Sequence, residues 1–111
     1  MLEDLVLYRK YVDFMYYGYS LFVKYPKSEK GGLVAEIKNV LYKGLDDIIS
    51  YNKYKNEIYL EDLDKNLKVL LVQIRISYKM KYISKKNYCA FSNKINLINK
   101  LRVGLYVNNK K

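Results

Sequence analysis

Residues 60–83 read LEDLDKNLKVLLVQIRISYKMKYI. Apolar side chains recur in this stretch every three or four residues, a spacing that places them on one face of an α-helix. The stretch is therefore predicted to form an amphipathic helix that packs one stripe into a core. The stripe consists of Leu60, Leu63, Leu67, Leu70, Ile74 and Tyr78.

Three further segments repeat this periodicity, which predicts helices over 2–24, 29–54 and 85–106. Four helices of this length with short connections favour a single all-α domain over 1–111, an antiparallel up-down-up-down four-helix bundle. The predicted core stripes of these segments are Leu5, Tyr8, Val12, Met15, Tyr19 and Phe22; Leu33, Ile37, Val40 or Leu41, Gly44, Ile48 and Tyr51; and Tyr88, Phe91, Ile95, Ile98, Leu101 and Leu105.

The helix boundaries are predicted from proline and from capping residues. Pro26 disfavours helical geometry in the residue before it, so the first helix is expected to end near Tyr25. Ser28 and Ser84 are the predicted N-caps of the second and fourth helices. Residues 107–111 are predicted to form a frayed tail.

Gly44 lies on the predicted core stripe of the second helix. Glycine costs helix stability relative to alanine, but it lets another backbone or a large ring come close. An α-hairpin that dimerises into a bundle is an alternative architecture, although four amphipathic helices in one chain already suffice.

The composition disfavours an enzyme, a metalloprotein and a membrane protein. Histidine is absent and no spaced catalytic motif is present, so a non-catalytic protein without cofactor, metal or small-molecule substrate is expected. Cys89 is the single cysteine, which excludes an internal disulfide and favours a reducing cytoplasm. It is predicted to be a small buried or boundary residue. The longest uncharged early stretch, residues 14–23, is about half of a membrane span.

Charge is divided unequally along the chain. Residues 1–64 contain nine Lys/Arg and eleven Asp/Glu, giving −2, whereas residues 65–111 contain twelve Lys/Arg and no acid, giving +12. An AT-rich gene would also supply lysine, but it would not segregate the acids. A polyanionic partner is therefore predicted. The candidate nucleic-acid-binding residues are Lys68, Arg75, Lys79, Lys85, Lys86 and Arg102.

Other interpretations of these charges stay open. An acidic protein could be the partner in place of RNA or DNA. Arg75 and Arg102 could instead form ion pairs, with an acid from the first half of the chain or from another subunit.

The third helix is apolar on a second face, nearly opposite the first. A monomeric bundle buries one stripe of each helix, so a second stripe predicts contacts between copies of the chain. The first helix also carries apolar residues, including Leu7 and Phe14, opposite its predicted core stripe. A wide core face with scattered surface apolar residues is the alternative. The predicted oligomer interface is Val69, Val72, Ile76, Met80 and Ile83.

Two sequence elements follow each other in a set order. A Tyr-Pro-Lys-Ser turn follows the first helix, and a leucine-rich third helix with a central basic residue leads into Tyr-Ile-Ser and a further tyrosine. In order and spacing they resemble the accessory variability determinant (Avd) proteins of diversity-generating retroelements, over about residues 5–106. The chain differs in lacking a C-terminal tryptophan and in having Gly31-Gly32. The matching residues are Tyr25, Pro26, Lys27, Ser28, Leu63, Leu67, Leu70, Arg75, Tyr82, Ile83, Ser84 and Tyr88.

The resemblance implies a four-helix bundle that assembles as a ring-like homopentamer. It implies binding to the retroelement reverse transcriptase and to RNA and DNA, in support of error-prone copying of a template RNA into a variable gene. Arg75 is the basic position that follows from the shared pattern. The chain is also similar to four-helix-bundle proteins encoded in intervening sequences of large-subunit ribosomal RNA genes, which leaves an interaction protein with an acidic protein or RNA partner as the alternative.

Overall fold

Four α-helices dominate the computed structural model, which describes the backbone of residues 1–109 and the side chains of residues 1–106. They are α1 (Val6–Phe22), α2 (Leu33–Tyr54), α3 (Ile58–Lys79) and α4 (Lys85–Asn109). Helices that follow each other in the chain pack together, and α4 also packs against α1. The helices therefore stand at the corners of a square, with α1 diagonally opposite α3. The predicted all-α, up-down-up-down bundle is confirmed, with no strand in the described residues.

The predicted core stripes of α2, α3 and α4 are confirmed. Leu63 and Leu70 of α3, Ile48 of α2 and Phe91 of α4 are completely or almost completely buried. Gly44 also has the predicted role, because a Cβ atom there would lie 2.1 Å from the hydroxyl oxygen of Tyr11 on α1. The missing side chain lets this buried ring cross against α2.

The predicted core stripe of α1 is confirmed only in part: Met15 and Phe22 are buried, but other members of the stripe are not. Tyr19 is exposed and Tyr8 is only half-buried, whereas Leu7 and Phe14 from the opposite stripe are buried together with Tyr11. Both faces of α1 are apolar, so periodicity alone does not decide between them. Gly44 determines which face of α1 is buried. The absence of a side chain there leaves room for the Tyr11 ring, whose hydroxyl donates a hydrogen bond to the Leu41 carbonyl oxygen at 2.7 Å.

Helix boundaries differ from the prediction at the turns. Ser28 does not cap α2, because it lies in a 3₁₀ turn (Lys27–Glu29) and α2 begins only at Leu33. The N-cap residue of α2 is Gly32, and the Glu29 carboxylate accepts a hydrogen bond from the Leu33 amide at 3.5 Å. Ser84 caps α4 as predicted, since its Oγ accepts from the Asn87 amide at 3.1 Å.

Two further boundary predictions lie at the ends of α3 and α4. Lys81 has a left-handed backbone with φ of 65°, so α3 ends at Lys79 and not at 83. Helix α4 continues to Asn109, so residues 107–109 of the predicted tail are helical. The rest of that tail, 110–111, lies outside the described residues.

A buried carboxylate lies in the seam between α2 and α3. Asp47 is 9% exposed, and its Oδ2 accepts a hydrogen bond from Asn66 at 2.7 Å. Burial raises the pKa of Asp47 to about 6, although the bond from Asn66 opposes this shift. The charges of Asp62 and Asp46 raise the pKa further, and Lys65 lowers it. Asp47 is therefore an ion that folding places in an unfavourable environment at neutral pH.

Asp47→Asn is expected to raise the free energy of unfolding at pH 8 by on the order of 2 kcal/mol, and to change it little at pH 4. The folded-state pKa lies above the usual 3.8, so the folded protein binds this proton more tightly than the unfolded chain. The contribution to stability is complete below about pH 4 and is lost as the pH rises to about 6. Urea unfolding at both pH values measures the difference. Asp46→Asn, at an exposed neighbour, serves as the control and should stay within about 0.5 kcal/mol at both.

Candidate nucleic-acid interface

The α1–α2 turn and the α3–α4 turn meet at one end of the bundle. The Tyr82 hydroxyl donates a hydrogen bond to Glu29 Oε2 at 2.9 Å across 53 residues of sequence. This bond is the main cause that raises the pKa of the Tyr82 hydroxyl. The rings of Tyr25 and Tyr82 also pack with centroids 5.6 Å apart. We call this end, residues 23–32 and 79–86, the turn end.

The turn end carries a dense positive charge. It contains seven lysines and one acid, which gives 7 − 1 = +6. The acid is Glu29, whose carboxylate oxygens already accept hydrogen bonds from the α2 amide and from Tyr82. All seven lysines are exposed. The Lys30 ammonium donates a hydrogen bond to the Phe22 carbonyl oxygen, whereas the other six present their charges to solvent and to an anionic partner. The seven lysines are Lys24, Lys27, Lys30, Lys79, Lys81, Lys85 and Lys86.

Four of the six candidate nucleic-acid-binding residues come together here. Lys79, Lys85 and Lys86 belong to the turn end, and Arg75 lies one helical turn before Lys79 on α3. All four are exposed, and within residues 1–106 no carboxylate lies at ion-pair distance from any of them. They lie on the last turns of α3 and at the start of α4.

Lys68 and Arg102 lie elsewhere. Lys68 is about 16 Å along α3 from Lys79, and its Nζ pairs with Asp64 Oδ1 at 2.6 Å. Arg102 is 12% exposed, pairs with the same carboxylate at 3.6 Å and donates from Nε to Asn99 Oδ1 at 3.0 Å. For Arg102 the ion-pair interpretation is therefore correct, with an acid from the first half of the chain. Its guanidinium ties α4 to α3 within the subunit.

Sequence reasoning missed the lysines from the other turn and Lys81. The net charge of −2 over residues 1–64 concealed Lys24, Lys27 and Lys30, because the acids that balance them lie mostly at the opposite end of the bundle. The predicted topology could have identified these three lysines as part of the basic surface. In an up-down-up-down bundle the first and third turns share one end, so charges there add across the sequence.

The second apolar stripe of α3 is exposed, with one exception. Val69, Val72, Ile76 and Met80 are 40–57% exposed. Ile83 is only 6% exposed and belongs to the core, so its assignment to the oligomer interface is wrong. The left-handed Lys81 ends the helix before Ile83, and the chain then turns this side chain inward.

The prediction of a buried or boundary Cys89 is also wrong, because its side chain is exposed. It lies on the side of α4 away from Phe91 and Ile95. Among the described residues, no group of three His, Cys, Asp or Glu could hold a metal ion. In the same part of the chain, no helix has the length and hydropathy needed to cross a bilayer.

A protein-family model described as bAvd-like matches residues 5–108. The matched range includes every residue of the turn end and of the exposed α3 stripe. No curated protein matches the chain.

Proposed function

This chain belongs to the bAvd-like family, and we propose that it is a non-catalytic accessory protein of a diversity-generating retroelement. In this role it binds the template RNA, the DNA and the reverse transcriptase, and it supports mutagenic copying into a variable gene. The family match is consistent with the accessory variability determinant proteins that the turn after α1 and the α3–α4 segment resemble. The observation that supports nucleic-acid binding most directly is the turn end, with its seven exposed lysines and one occupied acid.

The chemistry of this surface favours contacts to phosphates. Lysines bind phosphate as mobile point charges, and they carry no information about base sequence. Arg75 adds a planar guanidinium that can hold one phosphate through two hydrogen bonds. Such a surface binds RNA and DNA alike and leaves recognition of particular sequences to other components. The role is that of a scaffold in the cytoplasm, where nucleic acid and polymerase are brought together.

A homo-oligomer, with five subunits expected from the family, would strengthen this binding. Each copy contributes one turn end, and contacts of modest affinity multiply when several engage one nucleic acid. The exposed stripe Val69, Val72, Ile76 and Met80 supports such an assembly, because a monomer leaves it in water.

The wild-type protein is expected to bind structured RNA and duplex DNA with similar affinity at about 50 mM salt. A log–log plot of affinity against salt should have a slope of about −3 or steeper, because at least four cations per subunit meet phosphates. Fluorescence anisotropy over a salt series measures the slope. Absence of binding to both nucleic acids at low salt would leave an acidic protein as the partner. Co-purification with the reverse transcriptase of a retroelement, before and after nuclease treatment, tests the polymerase contact separately.

A further inference from the structure

Two uncharged surfaces stay exposed on the bundle. The first, here called the α3 ridge, is the convex row Val69, Val72, Ile76 and Met80. The second is a concave cavity of about 400 Å³ between α1 and α2, here called the tyrosine groove. We propose that the α3 ridge of one copy seats in the tyrosine groove of the next copy. The pairing specifies the homo-oligomer of the proposed function and rests on it. The groove is lined by Tyr8, Val12, Met15, Tyr16, Tyr19, Tyr42 and Leu45.

The groove is a mostly apolar surface in which the hydroxyls of Tyr19 on α1 and Tyr42 on α2 hydrogen-bond to each other at 3.0 Å. Tyr16 is 73% exposed, Tyr42 is 52% exposed and Tyr19 is 37% exposed. Together these three rings expose on the order of 300 Å². An α3 ridge of similar size brings the exposed area of these side chains to roughly 600 Å² over both partners, about half of the 1,200 Å² at the lower end of specific interfaces. A ring holds each subunit at two such contacts, which compensates for the modest size of each one.

The two surfaces match in length. The ridge runs from Val69 to Met80 and the groove from Tyr8 to Tyr19, so each spans eleven residue steps of a helix. At the usual rise this is about 16 Å in both cases. A ridge of one helix fits the furrow between two others in the way that helices pack inside proteins.

The two surfaces also lie at the same level along the bundle. Tyr11 crosses α2 at Gly44, and one turn along α2 Asp47 meets Asn66 of α3. These two contacts place Val69 at about the same height along the bundle axis as Tyr11. From there the ridge extends along α3 in the same direction as the part of α1 that lines the groove. Joining ridge to groove therefore requires rotation without a large shift along the axis. A head-to-tail contact of this kind closes into a ring and does not grow into a filament.

The directions of the two surfaces fit a small ring. The groove faces outward between α1 and α2, while the ridge faces outward from α3 on the side of α2. In a square bundle these directions are roughly a right angle apart, so a ring closes after about four or five copies.

Charge is consistent with this choice of surfaces. Every residue of the ridge and of the groove lining is uncharged, although the chain carries a net charge of +10. Lys38 Nζ lies 4.8 Å from the centroid of the Tyr19 ring, and copies that repel each other overall can meet most favourably along the uncharged side chains beside it. Because salt screens that repulsion, the oligomer should hold or tighten as salt rises, whereas binding to RNA should weaken.

Paired variants test the pairing in solution. Val72→Glu with Ile76→Glu removes the ridge, and Tyr16→Glu with Tyr42→Glu removes the groove. All four side chains are exposed, so the helical content should stay that of wild type by circular dichroism. Each double variant alone is expected to sediment as a monomer. Leu97→Glu with Val103→Glu, at α4 positions of similar exposure, is the matched control and should leave the wild-type oligomer intact.

Mixing the two monomeric variants gives the decisive result. One variant keeps its groove and the other keeps its ridge, so a 1:1 mixture should form heterodimers of twice the subunit mass and nothing larger. The pairing is overturned if the groove variant alone stays oligomeric, if the mixture stays monomeric, or if the wild type is a monomer at micromolar concentration. RNA binding is measured on the same samples. If the wild-type protein does not bind RNA, the proposed function is contradicted. The mass of the mixed variants tests only the pairing of ridge and groove.

Discussion

Gly44→Ala is expected to lower the free energy of unfolding by about 2–4 kcal/mol, although alanine is the better helix former. The added Cβ would lie 2.1 Å from the Tyr11 hydroxyl oxygen and 2.8 Å from Cζ of the same ring. Tyr11 is fully buried, so the ring has no free space into which it can move. A shift would also break the hydrogen bond to the Leu41 carbonyl oxygen and leave the buried Tyr11 hydroxyl without a partner. Urea unfolding followed by circular dichroism measures the loss.

Two comparisons isolate the cause. Gly104→Ala makes the same change on α4 where no atom lies within 4 Å of the new Cβ, and it should stabilise the protein by about 0.5–1 kcal/mol. Gly44→Ala combined with Tyr11→Phe removes the closest atom and should recover part of the loss. If Gly44→Ala alone is as stable as wild type, the close crossing of α1 and α2 is incorrect.

Arg75→Glu with Lys79→Glu is expected to weaken binding to RNA and to DNA by on the order of 100-fold at about 50 mM salt. The two substitutions change the charge of each subunit by −4 beside the turn end. Neither Arg75 nor Lys79 forms an ion pair with a carboxylate of the described residues. The salt dependence should become shallower, because fewer phosphates are neutralised. Helix content should be unchanged, since both side chains are exposed. Anisotropy titrations at several salt concentrations measure both effects.

Lys53→Glu with Lys100→Glu provides the matched control. The change in charge is the same, but both residues are exposed towards the other end of the bundle. A long-range effect of net charge would weaken binding equally in both double variants. A local site at the turn end requires the first variant to lose much more. Equal losses, or wild-type affinity in the first variant, would contradict the assignment of the turn end.

The sequence was sufficient for three of the four core stripes because α2, α3 and α4 each left little ambiguity at the buried positions. Helix α1 was ambiguous, since it is apolar on two faces. Its orientation depends on a pair of residues 33 positions apart, Tyr11 and Gly44, and periodicity within one helix contains no such information. Ile83 was misplaced for a different reason. A helical wheel assumes a continuous helix, and the left-handed Lys81 interrupts it.

The candidate site was only partly predictable for a related reason. Charge counted along the chain identified Arg75, Lys79, Lys85 and Lys86, but the bundle also brings Lys24, Lys27 and Lys30 to the same end. Arg102 carries the same charge as Arg75, yet it pairs with Asp64 and is mostly buried. Which basic residues face solvent depends on contacts between helices, and these follow from the packing.

The antiparallel order of the helices also decides how this positive surface is produced. Each end of the bundle contains two helix N-termini and two C-termini, so the helix macrodipoles largely cancel there. The attraction for anions therefore comes from side chains alone. Lysine and arginine are cations throughout the physiological pH range, and the chain has no histidine. Such a surface has no proton-driven release, so a bound polyanion would leave through competition by salt or another polyanion, or through acetylation of the lysines.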